Sequence, residues 1–371
     1  MATPSFNKRV IGEVVNDTPP GPMNTFSTVG DINGNGLPDP RYPSCHAATV
    51  VELADGRLLA AWFAGTHEGH PDVAIRLAHY DGDTWHEPST VVDEPGVPLW
   101  NPVLFRDEMD TVWLFFKAGP TVPAWTGLYV KSRDGGHTWS PPTVLPAGLL
   151  GPAKNKPITL SNGDILSGTS SESWRSWACW VEISTDGGGT WTMHGPIAAP
   201  GFPTDETGDD DLVSATWDAA SGALLLPQEH PGVIQPTVWE YAPGRLKMLM
   251  RATRRVGVVC ASDSDDHGRT WSPAMPTAIP QPNSGLDAVR LADGRIVLAC
   301  NPTREGRTPL SLLVSEDNGQ TWPWRQDVET GTGEYSYPSV IQAADGRVHV
   351  VYTYQRRRIY HLALDLRARH T

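Results

Sequence analysis

Apolar and polar residues along this chain alternate in short runs, and the runs are broken by turn signals. The stretches "GLYVKS", "SLLVS" and "SVIQAADGRVHVVYTY" carry the period of two that a strand requires, because successive side chains on a strand point to opposite faces. Asp-Gly and Asn-Gly pairs inside "ADGRLLAAW", "SNGDILSG" and "ADGRIVLAC" supply the tight turns that close hairpins. The pattern predicts an all-β chain with few helices.

A repeat organises these strands. Four octets share the form S-x-D-x-G-x-T-W: "SRDGGHTW" at 132–139, "STDGGGTW" at 184–191, "SDDHGRTW" at 264–271 and "SEDNGQTW" at 315–322; a fifth, "AHYDGDTW" at 78–85, keeps only its second half. Asp and Gly suit a tight turn, Ser and Thr satisfy its backbone groups, and Trp packs beneath it. An alternating strand precedes each octet, and most have a second hairpin upstream, so one unit holds about four strands in ~40 residues, the size of a propeller blade. Units beginning near Pro43, Asn101, Asn155, Val233, Ser284 and Tyr335 predict six blades. The stretch 195–231 lacks an octet and reads as an insertion in blade three or four, with a seventh blade as the alternative. Residues 1–40 read as an N-terminal segment packing on a single propeller of residues 41–371.

Composition agrees and narrows the function. Gly 36, Pro 34 and Trp 15 suit short strands joined by tight loops. A net charge of −13 argues against a nucleic-acid partner, which needs a basic face; "RRR" at 356–358 is the longest basic run. An anionic small ligand remains open where arginines cluster. No stretch reads as a signal-peptide core or a membrane span, so no membrane partner is expected and the chain reads as soluble and cytoplasmic. Cys45, Cys179, Cys260 and Cys300 are far apart in sequence and read as buried free thiols.

The octets and their spacing resemble the Asp-box (BNR) repeats of the sialidase superfamily, and the resemblance runs from about Arg41 to the C-terminus. It implies a six-bladed sialidase-like β-propeller and an enzyme that releases a terminal acidic sugar from a glycan by retaining hydrolysis, with no cofactor required. Arg41-Tyr42-Pro43 resembles the Arg-Ile-Pro signature whose arginine binds the substrate carboxylate. Arg251 and Arg307 match the other two arginines of that clamp, and planar guanidinium groups suit a carboxylate because they bind it bidentately and stay charged. Asp72 falls where the family keeps its general acid, and Tyr335, in "GEYSYPSV", matches the nucleophilic tyrosine; Tyr337 is expected to pack on the other face. For Arg41 the alternative is a surface arginine, and for Asp72 a turn former.

The resemblance fails at one informative position. The family's base, a glutamate at the start of blade four's strand, is here Gln235, and an amide cannot accept the tyrosine's proton; Glu229, Glu240 and His230 are candidate substitutes. His46, His67 and His70 crowd the rim near Glu68 and Asp72, which opens a second chemistry: β-elimination at a uronate, with His46 or His70 and Tyr335 as base and acid. A non-catalytic glycan-binding propeller is a third class. Lys154, Asn155, Asn283 and Asp287 sit at blade entrances as candidate substrate contacts. Asp31, Asn33, Asn35 and Asp39 in "DINGNGLPD" have the oxygen-ligand spacing of a structural Ca²⁺ loop, although position twelve holds Tyr42 rather than an acid.

Overall fold

The computed structural model describes residues 26–32, 40–173, 177–199, 216–218, 223–225 and 231–366. Among them lie six four-stranded antiparallel sheets. Blade one comprises Ser44–Glu52, Leu58–Gly65, Ala74–Tyr80 and Ser89–Val92; blade two Leu99–Arg106, Val112–Ala118, Thr126–Ser132 and Thr143–Val144; and blade three Ile158–Thr159, Ile165–Glu172, Trp177–Ser184 and Thr192–Ile197. Blade four comprises Val233–Ala242, Arg245–Ala252, Val258–Ser264 and Met275–Pro280, and blade five Asp287–Arg290, Ile296–Cys300, Leu310–Ser315 and Trp324–Glu329. Blade six has Tyr335–Gln342, Val348–Tyr354 and Arg358–Leu364 from the C-terminal end of the chain and is completed by Phe26–Asp31.

That last pairing corrects the division at residue 40. Phe26–Asp31 is a strand of the propeller itself, so the two ends of the chain close the ring within one blade. The calcium-type loop lies mostly outside the described residues: Asn33, Asn35 and Asp39 are not among them, and Asp31 ends the closing strand with Oδ2 3.7 Å from Arg358 Nε. The stretch 195–231 connects blades three and four, and its described part includes a two-stranded ladder, Thr216–Asp218 with Ala223–Leu225.

Apolar residues alternate onto both faces of each sheet, because every blade is covered by two neighbours. Leu59, Phe63, Leu104 and Leu114 fill the layer between blades one and two; Leu166, Val181, Met248 and Cys260 that between three and four; Val297, Leu312, Val340 and Val350 that between five and six. All four cysteines are buried and unbonded. In each of the four full Asp-box turns the aspartate is a hub. Asp134, for example, accepts from the Thr138 N–H at 2.9 Å and hydroxyl at 2.6 Å, while the Ser132 hydroxyl accepts from the Gly136 N–H at 2.8 Å. These turns join third to fourth strands, so they lie at the end opposite to the one where inner strands begin.

At the other end the inner strands depart from regular pairing. Register slips between His46 and Thr49, Trp100 and Val103, Ile234 and Thr237, and Ser336 and Ser339. Each slip contains a non-glycine residue in the left-handed region: Ala47 at φ 56°, Asn101 at 39°, Gln235 at 52° and Tyr337 at 52°. A bulge of this kind re-aims a side chain and is costly outside glycine, so its recurrence in four blades marks this end as the one built for function.

Around the axis just below, polar groups tie blades together. Asp287 accepts from Thr237 Oγ1 at 2.8 Å, Lys156 Nζ at 2.8 Å and the Val340 N–H at 2.9 Å. Lys154, 4% exposed, donates to Asn155 Oδ1, Leu286 O and Pro338 O, which occupies its three protons. Asn155 donates to Gln235 O at 3.0 Å. Lys154, Asn155 and Asp287 are therefore held by the scaffold rather than presented to a ligand, contrary to their reading as substrate contacts.

Candidate functional site

Tyr337 is the centre of the site. Its hydroxyl accepts from Arg251 Nη1 at 2.6 Å and from Gln235 Nε2 at 3.2 Å. Arg251 is the next-to-last residue of the second strand of blade four, opposite Ile234, and is fixed by two further acceptors, Gln235 Oε1 at 3.0 Å and Asn283 Oδ1 at 2.7 Å. The guanidinium groups of Arg251 and Arg307 each stand 5.6 Å from the Tyr337 ring centre, and the His46 ring packs at 4.1 Å. The ring also lies against Gly285, where a Cβ would come within 3.1 Å of Tyr337 Cδ2 and press on the ring.

The electrostatics favour an anion. Burial first, then the charges of Arg356, Arg307, Arg251 and Lys154, push His46 well below 6.5, and both its ring nitrogens are buried without a hydrogen-bond partner. It is therefore a neutral imidazole with a free lone pair beside Tyr337. Burial also lowers Lys154 to about 7 against the pull of Asp287. One consequence is measurable. The unfolded chain takes up a proton near pH 6.5 that folded His46 refuses, so this residue withdraws stability as pH falls below 6.5, by up to about 1.4 kcal/mol per pH unit. Urea unfolding at pH 7 and pH 5 should show a smaller drop for His46→Phe than for the parent; equal drops would mean that His46 is protonated in the fold.

A second cluster closes the seam between blades six and one. Glu334 accepts from Arg307 Nη1 at 2.7 Å, Arg356 Nε at 3.0 Å and the Ser336 hydroxyl at 2.7 Å, and Arg356 also pairs with Glu68. Burial alone would raise Glu334, but Arg307 and Arg356 outweigh it and hold the carboxyl below its ordinary range. Arg307 is thus pre-paired, whereas the hydrogen bonds of Arg251 go to neutral partners.

The structure sorts the residues expected from the sequence. Arg251, Arg307, Gln235, Asn283 and His46 converge on one point, with Lys154 beneath it. Tyr335 does not. Its ring packs edge-on to Tyr354 at 5.1 Å within the core of blades five and six, and its hydroxyl meets Thr332 O and Gln355 Nε2. The bulge after Ser336 brings Tyr337 into the site instead. Arg41 is exposed with its guanidinium 5.9 Å from the Tyr42 ring, and the inner-strand position facing Tyr337 from blade one is taken by His46.

Asp72 lies on the exposed loop between the second and third strands of blade one, with His67 and His70. It accepts from the Thr66 N–H at 3.0 Å and hydroxyl at 2.6 Å and sits 2.7 Å from His70 Nδ1. Burial would raise its pKa, but the contacts with Thr66 and His70 outweigh it and lower the carboxyl, which favours the ionised form over a proton donor in this arrangement. Of the substitutes for Gln235, Glu229 and His230 fall outside the described residues. Glu240 is bound at the far end of its strand to Ser161 and Gly244.

Three charged groups went unassigned in the sequence reading. Glu334 and Arg356 stood in view, in "GEYSYP" and "RRR", but only the closed ring brings them together. Glu172 ends the second strand of blade three on the face it shares with Ser170, whose hydroxyl accepts from the Gln235 N–H at 3.3 Å. Burial pushes Glu172 up to about 7, with Arg251 pulling it down and Glu68 pushing it up, which makes it a carboxyl able to gain or lose a proton at neutral pH.

A six-bladed propeller with Asp-box turns at one end and a cationic, tyrosine-centred cluster at the other defines the class. The chain belongs to the BNR repeat-like domain family, whose pattern matches residues 56–350. It is 24% identical over 381 residues to a sialidase of Micromonospora viridifaciens, covering 90% of this chain and 53% of that protein, so the chain spans about half the length of that relative. Among solved structures it resembles the Hadza microbial sialidase Hz136, with a TM-score of 0.72 at 19% identity over 91% of this chain and 69% of the other. It also resembles a protein of unknown function from Dyadobacter fermentans, with a TM-score of 0.73 at 18% identity over 93% of this chain and 100% of the other.

Proposed function

We propose that the chain cleaves a terminal acidic sugar from a glycan by sialidase-type retaining hydrolysis. The observation that carries the reading is the Tyr337 hydroxyl held 2.6 Å from Arg251 in a cationic chamber. Arg251 and Arg307 take the substrate carboxylate, and a neutral phenol approaches an anionic sugar without the repulsion a carboxylate nucleophile would meet. The Tyr337 oxygen bonds to the anomeric carbon as the bond to the leaving oxygen breaks. The phenolic proton passes to Glu172, the carboxyl near Arg251 that burial pushes up to about 7, and Asp72 protonates the leaving oxygen; water then displaces the tyrosine. Relatives named as sialidases support this ordering.

Gln235 favours a second reading. With an amide rather than a carboxylate at the tyrosine hydroxyl, neutral His46 takes the C5 proton of a uronate, Arg251 and Arg307 stabilise the charge that develops on its carboxylate, and Tyr337 protonates the leaving oxygen. Incubation with a panel of sialosides and uronosides separates the two. Release of the acidic sugar without new ultraviolet absorbance is expected for hydrolysis, and an absorbing unsaturated product supports elimination. Binding of the panel with no turnover of any member would refute both in favour of a glycan-binding propeller.

A further inference from the structure

A cavity of about 240 Å³ opens on the seam between blades six and one, at the Asp-box end and so at the end opposite Tyr337. Blade one lines it with Glu52, Leu58 and Tyr80, and blade six with Ala344, Arg347 and His349. His349 is 2% exposed and belongs to a chain of buried hydrogen bonds. Trp85 Nε1 donates to His361 Nδ1 at 3.2 Å, and His361 Nε2 lies 2.9 Å from His349 Nδ1. An indole nitrogen can only donate, so His361 holds its lone pair at Nδ1 and its proton at Nε2. That proton goes to His349 Nδ1, which leaves the His349 proton on Nε2. Both rings are neutral, because burial above all lowers His349 to about 4 and His361 to about 3. The relay thus ends in a fixed N–H on the cavity wall, with no acceptor for it among the described residues.

Other polar groups around the cavity are engaged. The Tyr80 hydroxyl donates to Gly82 O at 2.9 Å, and Arg347 Nε donates to Asp345 Oδ2 at 2.6 Å. The Glu52 oxygens share the Ala344 N–H at 3.0 and 2.9 Å, but a carboxylate keeps further lone pairs to offer. We infer that this cavity binds a small uncharged amide, whose carbonyl oxygen accepts from His349 Nε2–H and whose N–H donates to Glu52. A buried donor left without a partner is costly, and a carbonyl relieves it. An anion would meet two carboxylates, Glu52 and Asp345, against one guanidinium that Asp345 already pairs. A simple ammonium has no lone pair for the His349 proton. The volume is below the roughly 300–1,000 Å³ of sites for larger ligands, so the occupant is small. It would touch both blades at the seam where the two ends of the chain close the ring, so binding should stabilise the closed propeller.

The probe is 2-pyrrolidone, titrated into the full chain with its histidines labelled with ¹⁵N. Nitrogen–proton correlation spectra should show His349 and His361 both protonated at Nε2, and the lactam should shift the His349 Nε2 signal saturably in the millimolar range while raising the melting temperature. Propionate, propylammonium and 1,2-propanediol should not do so at the same concentrations. Ala344→Trp, which fills the cavity from an exposed position, should weaken the lactam roughly tenfold or more and keeps the test open if a buried variant fails to fold. Trp85→Phe does not touch the cavity wall but removes the donor that fixes the relay, so the two histidines should lose their single tautomer and the lactam several-fold in affinity. No saturable shift would mean that the cavity holds water alone, and would overturn the site. So would an affinity unchanged in a folded Ala344→Trp, or a charged or hydroxylic probe that binds as well as the lactam.

Discussion

Tyr337→Phe should be folded, should bind an acidic sugar within a few-fold of the parent, and should lose roughly 10³-fold or more in kcat. The hydroxyl sits between Arg251 Nη1 and Gln235 Nε2, and both readings of the chemistry need it chiefly in the transition state, as nucleophile or as proton donor. Removing it leaves the ring against His46 and the arginines in place, so ground-state binding is largely kept. Tyr335→Phe is the control. Its hydroxyl meets Thr332 O and Gln355, away from the Arg251 cluster, so its loss should cost about 1 kcal/mol of stability and little activity. A 2,3-difluoro sialic acid analogue should label Tyr337 under hydrolysis and leave it unlabelled under elimination. Full activity in Tyr337→Phe on a substrate the parent cleaves would remove the tyrosine from both mechanisms.

Arg251 carries the second large effect. It is buried and its hydrogen bonds go to Tyr337, Gln235 and Asn283, all neutral, with Glu172 the acidic group nearby, so no carboxylate is hydrogen-bonded to it before an anion arrives. Arg251→Met should weaken an acidic monosaccharide by roughly 2–4 kcal/mol, since a charge-assisted, partly desolvated contact is lost. Arg307→Met should also weaken binding, but its direct contribution is already shared with Glu334 at 2.7 Å. That variant also leaves Glu334 with Arg356 as its one cationic partner beside the Ser336 hydroxyl, so part of its loss reflects a carboxylate turned against the ligand. The two arginines are therefore distinguishable: the loss in Arg307→Met should be partly relieved by Glu334→Gln, whereas the loss in Arg251→Met should not.

The six blades were legible because their signals are local. An Asp-box encodes its own turn within eight residues, and alternation places the strands on either side. What the sequence hid is non-local or conformational. Reading Tyr335 as the functional tyrosine assumes regular pairing in blade six. The bulge between Ser336 and Ser339, with Tyr337 at φ 52°, breaks that register, and no glycine announces it. In blade one the same device at Ala47 lets His46 rather than Arg41 reach the chamber. Arg251, Arg307, Gln235 and Asn283 were found because strand ends and blade entrances are readable as positions, even though which blades face each other is not. The strand Phe26–Asp31 escaped because its partner, Arg358–Leu364, lies at the far end of the chain. The pairing of Arg356 with Glu68 across the same seam depends on that closure.

The account's central claim is that the Tyr337 chamber recognises a carboxylate through Arg251. The most direct test is calorimetric titration of N-acetylneuraminic acid and of glucuronic acid, each against its neutral counterpart lacking the carboxylate, into the parent and into Arg251→Met. The account predicts that the parent binds at least one of the two acids, discriminates against its neutral counterpart, and loses that discrimination in the variant, with affinity for the acid falling by roughly 30-fold or more. Equal affinity for acid and neutral sugar in the parent, or an unchanged affinity in a folded Arg251→Met, would contradict it.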